Sequence, residues 1–407
     1  MARSARRTPP PLFVLGCYAF VSLGVSAALL GPALPTLAAK ANTSLDRIGL
    51  IFGSMSLGYL TSAPLINTIG ARMGARATLI VSPLVVIVGM VLLALGTHLN
   101  IFFGAAYLLG LGQSGTQVAY NAMFGLQAEG GRASAVLNRL NAFFGVGALI
   151  GPLFVAASYA LINEATLAFW IAAAMALPLT LGALQAQDGL RRSSPAHIAS
   201  SDGSAARRLL TSPAAWGLCF VMGLYVGCEV AFSGWATEFT RRMTGASTAQ
   251  AAVVVSIFWA ALALSRYFTP TIARRIPSAA LIGLLFALAI LGLMVMLMAG
   301  QMSAAAWVGA FGVGAGFGPV YPTLIAIGIQ RFPFAARMIA SVLTSTGAIG
   351  ALFLPTLVGF VMDASALGAV SAWVMLAGLL ALVIGLWQLT RRALRREDAT
   401  ASPGRAA

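Results

Sequence analysis

Charge is what this sequence has least of. Only 9% of its 407 residues are Asp, Glu, Lys or Arg, against roughly 25% in an average soluble domain. Acid is scarcer still, with 10 carboxylates against 25 basic side chains and a net charge of +15. On a soluble protein that balance would suggest a nucleic-acid partner. Here the basic residues stand in short segments between apolar runs, where the positive-inside bias explains them, so no nucleic acid is expected. The three cysteines, Cys17, Cys219 and Cys228, lie inside apolar runs without metal-ligand spacing, and the two histidines, His98 and His197, lie in connecting segments. Neither set forms a metal site, and the cysteines read as small buried hydrophobes. No GxxxxGK[ST] phosphate loop occurs, and no hydrophilic stretch is long enough for an ATP-hydrolysing domain. The apolar runs offer no nucleophile, base and orienting group together, so no enzyme and no cofactor is expected.

What is present is apolar length. Hydrophobic residues make up 59% of the chain, and the mean hydropathy is +0.90. Runs of about 17 to 25 apolar residues recur, each long enough as a helix to cross about 30 Å of hydrocarbon. The expected class is all-α, a polytopic membrane protein with twelve spans at about 12–34, 48–69, 78–96, 101–126, 140–162, 165–185, 212–236, 249–270, 278–299, 303–327, 338–361 and 367–390. The apolar part of the first run exceeds a signal-peptide core of about 7 to 15 residues and is kept as a span. With both termini placed in the cytoplasm, 20 of the 25 basic residues fall on the inside. Lys40, Arg47, Arg241 and Arg242 then fall outside, and Arg266 lies within a span. That asymmetry sets the expected orientation in a bacterial inner membrane.

The stretch 186–211 is rich in Ser, Ala, Gly and Arg and reads as a cytoplasmic linker. It separates an N-terminal bundle of six helices at 1–185 from a C-terminal bundle with a cytoplasmic tail at 212–407. An internal repeat agrees with this division. Shifting the chain by about 203 residues lays Arg72 over Arg275, Gly147 over Gly350 and Pro152 over Pro355, and one step less lays GLG at 110–112 over GVG at 312–314. Two similar six-helix halves are a known transporter plan.

A carboxylate within hydrocarbon is a functional candidate by default. Nine of the ten acids, Glu238 among them, fall in or beside expected loops, leaving Glu229 well within a span in LYVGCEVAFSGW at 224–235. It could exchange a proton as a cavity opens to alternate sides, with Tyr225 and Trp235 flanking it. Gln113, Gln117 and Asn121 stand four apart and form one polar stripe on a helix. Amides both donate and accept, which matches the hydroxyls of a sugar-like solute. Asn138, Asn141, Trp259 and Tyr321 could add contacts, and Arg266 reads as a gating or anchoring residue able to snorkel.

The chain resembles the major facilitator superfamily over essentially its full length. GYLTSAPLINTIGARMGARATL at 58–79 is similar to the signature between the second and third helices, whose core is D-R-x-G-R-[RK]. Arg72, Gly74 and Arg76 match its Arg, Gly and final basic positions, which implies gating roles for them and for Arg275, the repeat counterpart of Arg72. Ala71 stands at the Asp position, Ala75 at the next Arg position and Asn67 at an earlier glycine. Within the superfamily the chain resembles the branch of the fucose–proton symporter and sodium-dependent glucose transporters. LYVGCEVAFSGW is similar to that branch's YVGAE segment, FWAALALSR at 258–266 to its FW-rich run ending in Arg, and LNRLNAFFGVGALIGP at 137–152 to its N-x-x-H-x-x-F-G-x-G-A-x-x-G-P segment. Asn141 replaces the usual His, and Gln117 stands where an acid often lies. The resemblance implies a transporter of a monosaccharide or related polyhydroxy solute, proton-coupled through Glu229, with Na+ left open as the ion. The competing expectation is efflux of a drug-like or sugar substrate by proton antiport. The expected partners are a small solute and membrane lipids, with the monomer as the working unit.

Overall fold

Segments without charge and with every backbone group to satisfy have one economical solution in hydrocarbon, the helix. The computed structural model describes residues 10–73, 75–127, 133–185, 203–272, 276, 278–300, 302–364 and 367–401. Among them the regular elements are all helical. In chain order these are α1 (Pro10–Ala28), α2 (Leu30–Lys40), α3 (Leu45–Gly49), α4 (Ile51–Met73), α5 (Ala75–Leu95), α6 (Leu99–Gln127), α7 (Ala133–Ile162) and α8 (Thr166–Gln185). The chain continues with α9 (Gly203–Leu210), α10 (Pro213–Thr244), α11 (Thr248–Ile272), α12 (Ser278–Leu297), α13 (Ala304–Phe317), α14 (Val320–Arg331), α15 (Ala336–Ala364) and α16 (Gly368–Ala401).

The twelve expected spans are filled by α1 with α2, α4, α5, α6, α7, α8, α10, α11, α12, α13 with α14, α15 and α16. Among the described residues nine of these paths are each long and apolar enough to cross a bilayer, and the bent pair α1 and α2 makes a tenth, which leaves those of α4 and α6. Two expected spans depart from one regular helix. The first bends by 48° between α1 and α2, where Pro32 withholds the N–H that Ala28 would otherwise receive. The tenth is interrupted at Gly318 and Pro319, between α13 and α14, where both residues keep right-handed helical angles and the path continues as one span. The short connection inside 140–185 is a true turn, with Asn163 in the left-handed region at φ 58° and its N–H on the Tyr159 carbonyl at 3.0 Å. The expected linker contains α9, and α10 runs eight residues past its expected end.

By contacts the chain forms two compact units. Unit 1 comprises 1–197 with 233–241 and 245–260, and unit 2 comprises 198–232, 242–244 and 261–407. Helix packing inside each unit follows the repeat. In unit 1, α1 and α7 approach so closely that a Cβ on Gly147 would strike the Val21 carbonyl, and one on Gly24 the Phe144 carbonyl. In unit 2, a Cβ on Gly350 would strike the Gly223 carbonyl of α10, and one on Gly227 would lie 2.8 Å from the Gly350 carbonyl. Pro152 and Pro355 sit inside α7 and α15. The third repeat match slips. Gly112 faces Ser82 and Val86 on α5 while Gly316 faces Leu285 and Ala289 on α12, so the structural partner of Gly112 is Gly316 rather than Gly314.

Candidate functional site

The break in the tenth expected span decides what lies around Glu229. In the sequence FGPVYP, Pro319 and Pro322 have no N–H, so the carbonyls of Ala315 and Gly318, four residues earlier, lose their intrahelical donors. Gly318 finds another, since Arg266 of α11 donates its Nε to that carbonyl at 2.6 Å. Glycine is required here because a Cβ on residue 318 would collide with Ser265 Oγ and the Leu262 carbonyl. The guanidinium of Arg266 also acts electrostatically on Glu229, Tyr225 and Tyr321. The two span residues that sequence reasoning set apart, an acid and a base, therefore belong to one cluster in unit 2.

Tyr225 completes it. One turn before Glu229 on α10, its hydroxyl contacts Glu229 Oε2 and lies 3.1 Å from the Phe317 carbonyl. The tyrosine is fully buried, its ring set edge-on against Phe317 with centroids 5.6 Å apart. Glu229 itself is half-buried. A hydroxyl has one hydrogen, so Tyr225 can donate to only one of its two acceptors at a time. Tyr321, on the far side of the break, pairs its hydroxyl with Thr344 Oγ1 of α15 at 3.0 Å.

Unit 1 carries the amide stripe on α6. Gln113 is buried and donates to Ser26 Oγ of α1 at 3.2 Å. Gln117 accepts from the Tyr59 hydroxyl of α4. Asn121 Oδ1 is buried with no hydrogen-bond partner among the described residues. Asn141 is exposed on α7. Trp235 has no exposed surface and its ring closes on Gly49 and Phe52, 6.4 Å between centroids. Trp259 donates Nε1 to Ser233 Oγ at 3.2 Å and meets Phe144 edge-on at 6.1 Å. Of the gating candidates, Arg76 donates Nε to the Ala183 carbonyl at the end of α8, 3.1 Å away. Gly74 and Arg275 lie outside the described residues, as do the side chains of Arg72 and Asn138.

One buried acid escaped sequence reasoning. Glu238, read as a loop residue, is 2% exposed within α10 and is held by Arg241 through Nε at 2.8 Å and Nη2 at 2.9 Å. Placing the end of the seventh span at 236 hid it, although the Glu-x-x-Arg spacing is the helical signal that would have carried the helix further. Next along the helix, Arg242 pairs with Asp363 at 2.7 Å in unit 2. No group of three or more potential metal ligands occurs among the described residues.

Comparison with known proteins agrees with this architecture. The family model described as Major Facilitator Superfamily matches residues 14–355. An uncharacterized MFS-type transporter of Yersinia pestis is 26% identical over 364 residues, 86% of this chain and 88% of the relative. Among solved structures, the nucleoside transporter NupG superposes with a TM-score of 0.77 at 15% identity, over 93% of this chain and 98% of that one. A bacterial homolog of the human lysosomal transporter Spinster gives 0.77 at 15% identity, over 96% and 99%. The fucose:proton symporter FucP of E. coli gives 0.62 at 17%, over 94% and 99%.

Proposed function

The chain belongs to the Major Facilitator Superfamily and is a multi-pass membrane transporter, and from that premise we propose that it moves a small polyhydroxy solute by proton-coupled alternating access. Its halves are the bundles 1–185 and 212–407, joined by 186–211, with both termini in the cytoplasm of a bacterial cell and the monomer as the working unit. The observation that carries the reading is the cluster of Glu229, Tyr225 and Arg266 at the broken span, a carboxylate with a counter-charge and a hydroxyl that has a second acceptor.

The switch works as follows. With Glu229 ionised, Tyr225 donates to the carboxylate and Arg266 balances its charge. When Glu229 takes a proton, its own O–H donates to the Tyr225 oxygen, the tyrosine hydrogen turns to the Phe317 carbonyl, and Arg266 loses its anionic partner. Protonation thereby transfers hydrogen bonding from the carboxylate to the backbone at the break, where α13 and α14 can reorient about Gly318. A proton moving down about 100 mV supplies about 2.3 kcal/mol, enough for roughly 50-fold accumulation of a neutral solute.

For the solute, the unsatisfied Asn121 Oδ1 and the amides of Gln113 and Gln117 provide the alternating donors and acceptors that neighbouring hydroxyls need. Asn141, Trp259 and Trp235 are the further solute candidates of unit 1, Tyr225 and Tyr321 are those of unit 2, and Arg72, Gly74, Arg76 and Arg275 serve the gates. Two of the fold neighbours are described as carrying a nucleoside and a fucose, both ring polyols, which supports this class over a hydrophobic drug. Proteoliposomes with an inwardly directed proton gradient test the proposal, using a panel of monosaccharides and nucleosides. Accumulation above the equilibrium level is expected for the wild type. Glu229→Gln should abolish it while solute exchange without a gradient persists. Gradient-driven accumulation that survives the substitution removes Glu229 from the mechanism.

A further inference from the structure

The last helix carries a feature that solute transport does not use. On α16 the exposed residues follow one face, Val374, Gly378, Leu382, Gly385, Leu389, Arg392 and Arg396, at successive intervals of three or four. The first five are apolar or bare. At both Gly378 and Gly385 an added Cβ would meet nothing within 4 Å, so this face has a shallow channel, flanked by the exposed Leu382 and Leu389. Arg392 of the same stripe also lines a cavity of about 120 Å³, together with Gln388, Arg391 and Arg395. Within this lining, Gln388 Oε1 accepts from Arg391 Nη1 at 3.1 Å. The volume is below the roughly 300 Å³ of a drug-sized site and suits one tetrahedral anion.

We propose that this end of α16 is a binding site for an anionic phospholipid of the leaflet in which the helix ends. The phosphate sits among Arg391, Arg392, Arg395 and Gln388, and one acyl chain lies along the glycine channel of the same face. Charge argues for the phosphate, since arginine forks match phosphate oxygens. Continuity argues for a lipid over a free anion, because Arg392 belongs both to the cationic cavity and to the stripe whose earlier residues are apolar. Basic residues just beyond a span each add about 1 kcal/mol toward an anionic leaflet, about fivefold in affinity.

The test uses the full-length protein, stripped of lipid in detergent and examined by native mass spectrometry with phosphatidylglycerol, phosphatidylcholine of the same chains, or glycerol 3-phosphate. One phosphatidylglycerol per chain should be retained, and phosphatidylcholine should bind at least about tenfold more weakly. The variant R391Q/R392Q/R395Q should lower phosphatidylglycerol affinity on the order of 100-fold. Gly385→Leu leaves the charge untouched, improves helix propensity and fills the channel, and should weaken retention severalfold. Equal phosphatidylglycerol retention by the triple variant and the wild type overturns the site. Glycerol 3-phosphate that displaces the lipid at equal concentration overturns the lipid assignment and leaves a site for a free phosphate ester. Should the triple variant not fold, Gly385→Leu decides alone, and unchanged affinity refutes the acyl channel.

Discussion

At the residue scale the central object is one hydrogen with two possible acceptors. Tyr225→Phe keeps the buried ring and deletes the hydroxyl, leaving Glu229 Oε2 and the Phe317 carbonyl to find other donors. An unsatisfied buried polar group costs about 1–3 kcal/mol, so the variant should melt at a lower temperature in detergent and lose gradient-driven accumulation faster than exchange. Arg266 offers a sharper test because two of its partners are of different kinds. Arg266→Gln removes the counter-charge of Glu229 and the donor to the Gly318 carbonyl, and should lower both the melting temperature and gradient-driven accumulation. Adding Glu229→Gln should restore part of that loss, and additive losses in the double variant would show that the two groups do not interact. Glu229 was legible because an acid inside an apolar run is rare and costly. Tyr225, one turn away, was legible with it, but Arg266 was not, since it is 37 residues away and only the folding of α11 against the break joins them. Glu238 was lost for a plainer reason. A salt-bridged acid and arginine on the last turns of a helix resemble a polar loop when hydropathy alone sets the boundary.

At the element scale, glycine and proline set where helices touch and where they break. Gly350→Ala would drive a methyl into the Gly223 carbonyl and Gly147→Ala one into the Val21 carbonyl. Backbone offers no rotamer to yield, so each should destabilise by about 1–3 kcal/mol. Gly104→Ala, whose new methyl meets nothing, should be neutral or slightly stabilising. Melting temperatures of the three variants side by side check this, and a uniform response would mean that close backbone approach does not hold these helix pairs. The break on the tenth path gives the opposite expectation. Pro322→Ala returns an N–H that can reach the Gly318 carbonyl, in competition with Arg266. Stability should hold or rise while proton-driven uptake falls several-fold, an outcome read by melting and transport assays on the same preparation. The positions of the long helices could be read from the length of the apolar runs, and Gly147 and Gly350 from the repeat. The register of the fourth and tenth paths could not be read, because short Gly-rich segments match one another at several offsets and only packing on α5 and α12 selects Gly112 with Gly316.

Over the whole molecule the two units repeat their packing and differ in their chemistry. Gly24 and Gly227 make equivalent approaches to α7 and α15, and two residues further along stand Ser26 in one unit and Glu229 in the other. Where unit 2 has a carboxylate, unit 1 has a hydroxyl that accepts from Gln113 at 3.2 Å and carries no charge to exchange. The buried acid Glu238 is gripped by both ends of the Arg241 fork, so its charge is balanced locally. On the proposed mechanism Glu229 carries one proton per solute, and for an uncharged solute one net positive charge per transport event. Currents from a supported membrane, compared with labelled uptake on the same proteoliposomes, should therefore give a charge-to-solute ratio of one, unchanged when sodium is replaced by choline. Glu238→Gln should leave that ratio at one even if it lowers stability, whereas Glu229→Gln should abolish solute-driven current. A ratio of two, or a current that needs sodium, would mean that a second ion site operates and that the asymmetry between Ser26 and Glu229 is not the basis of coupling.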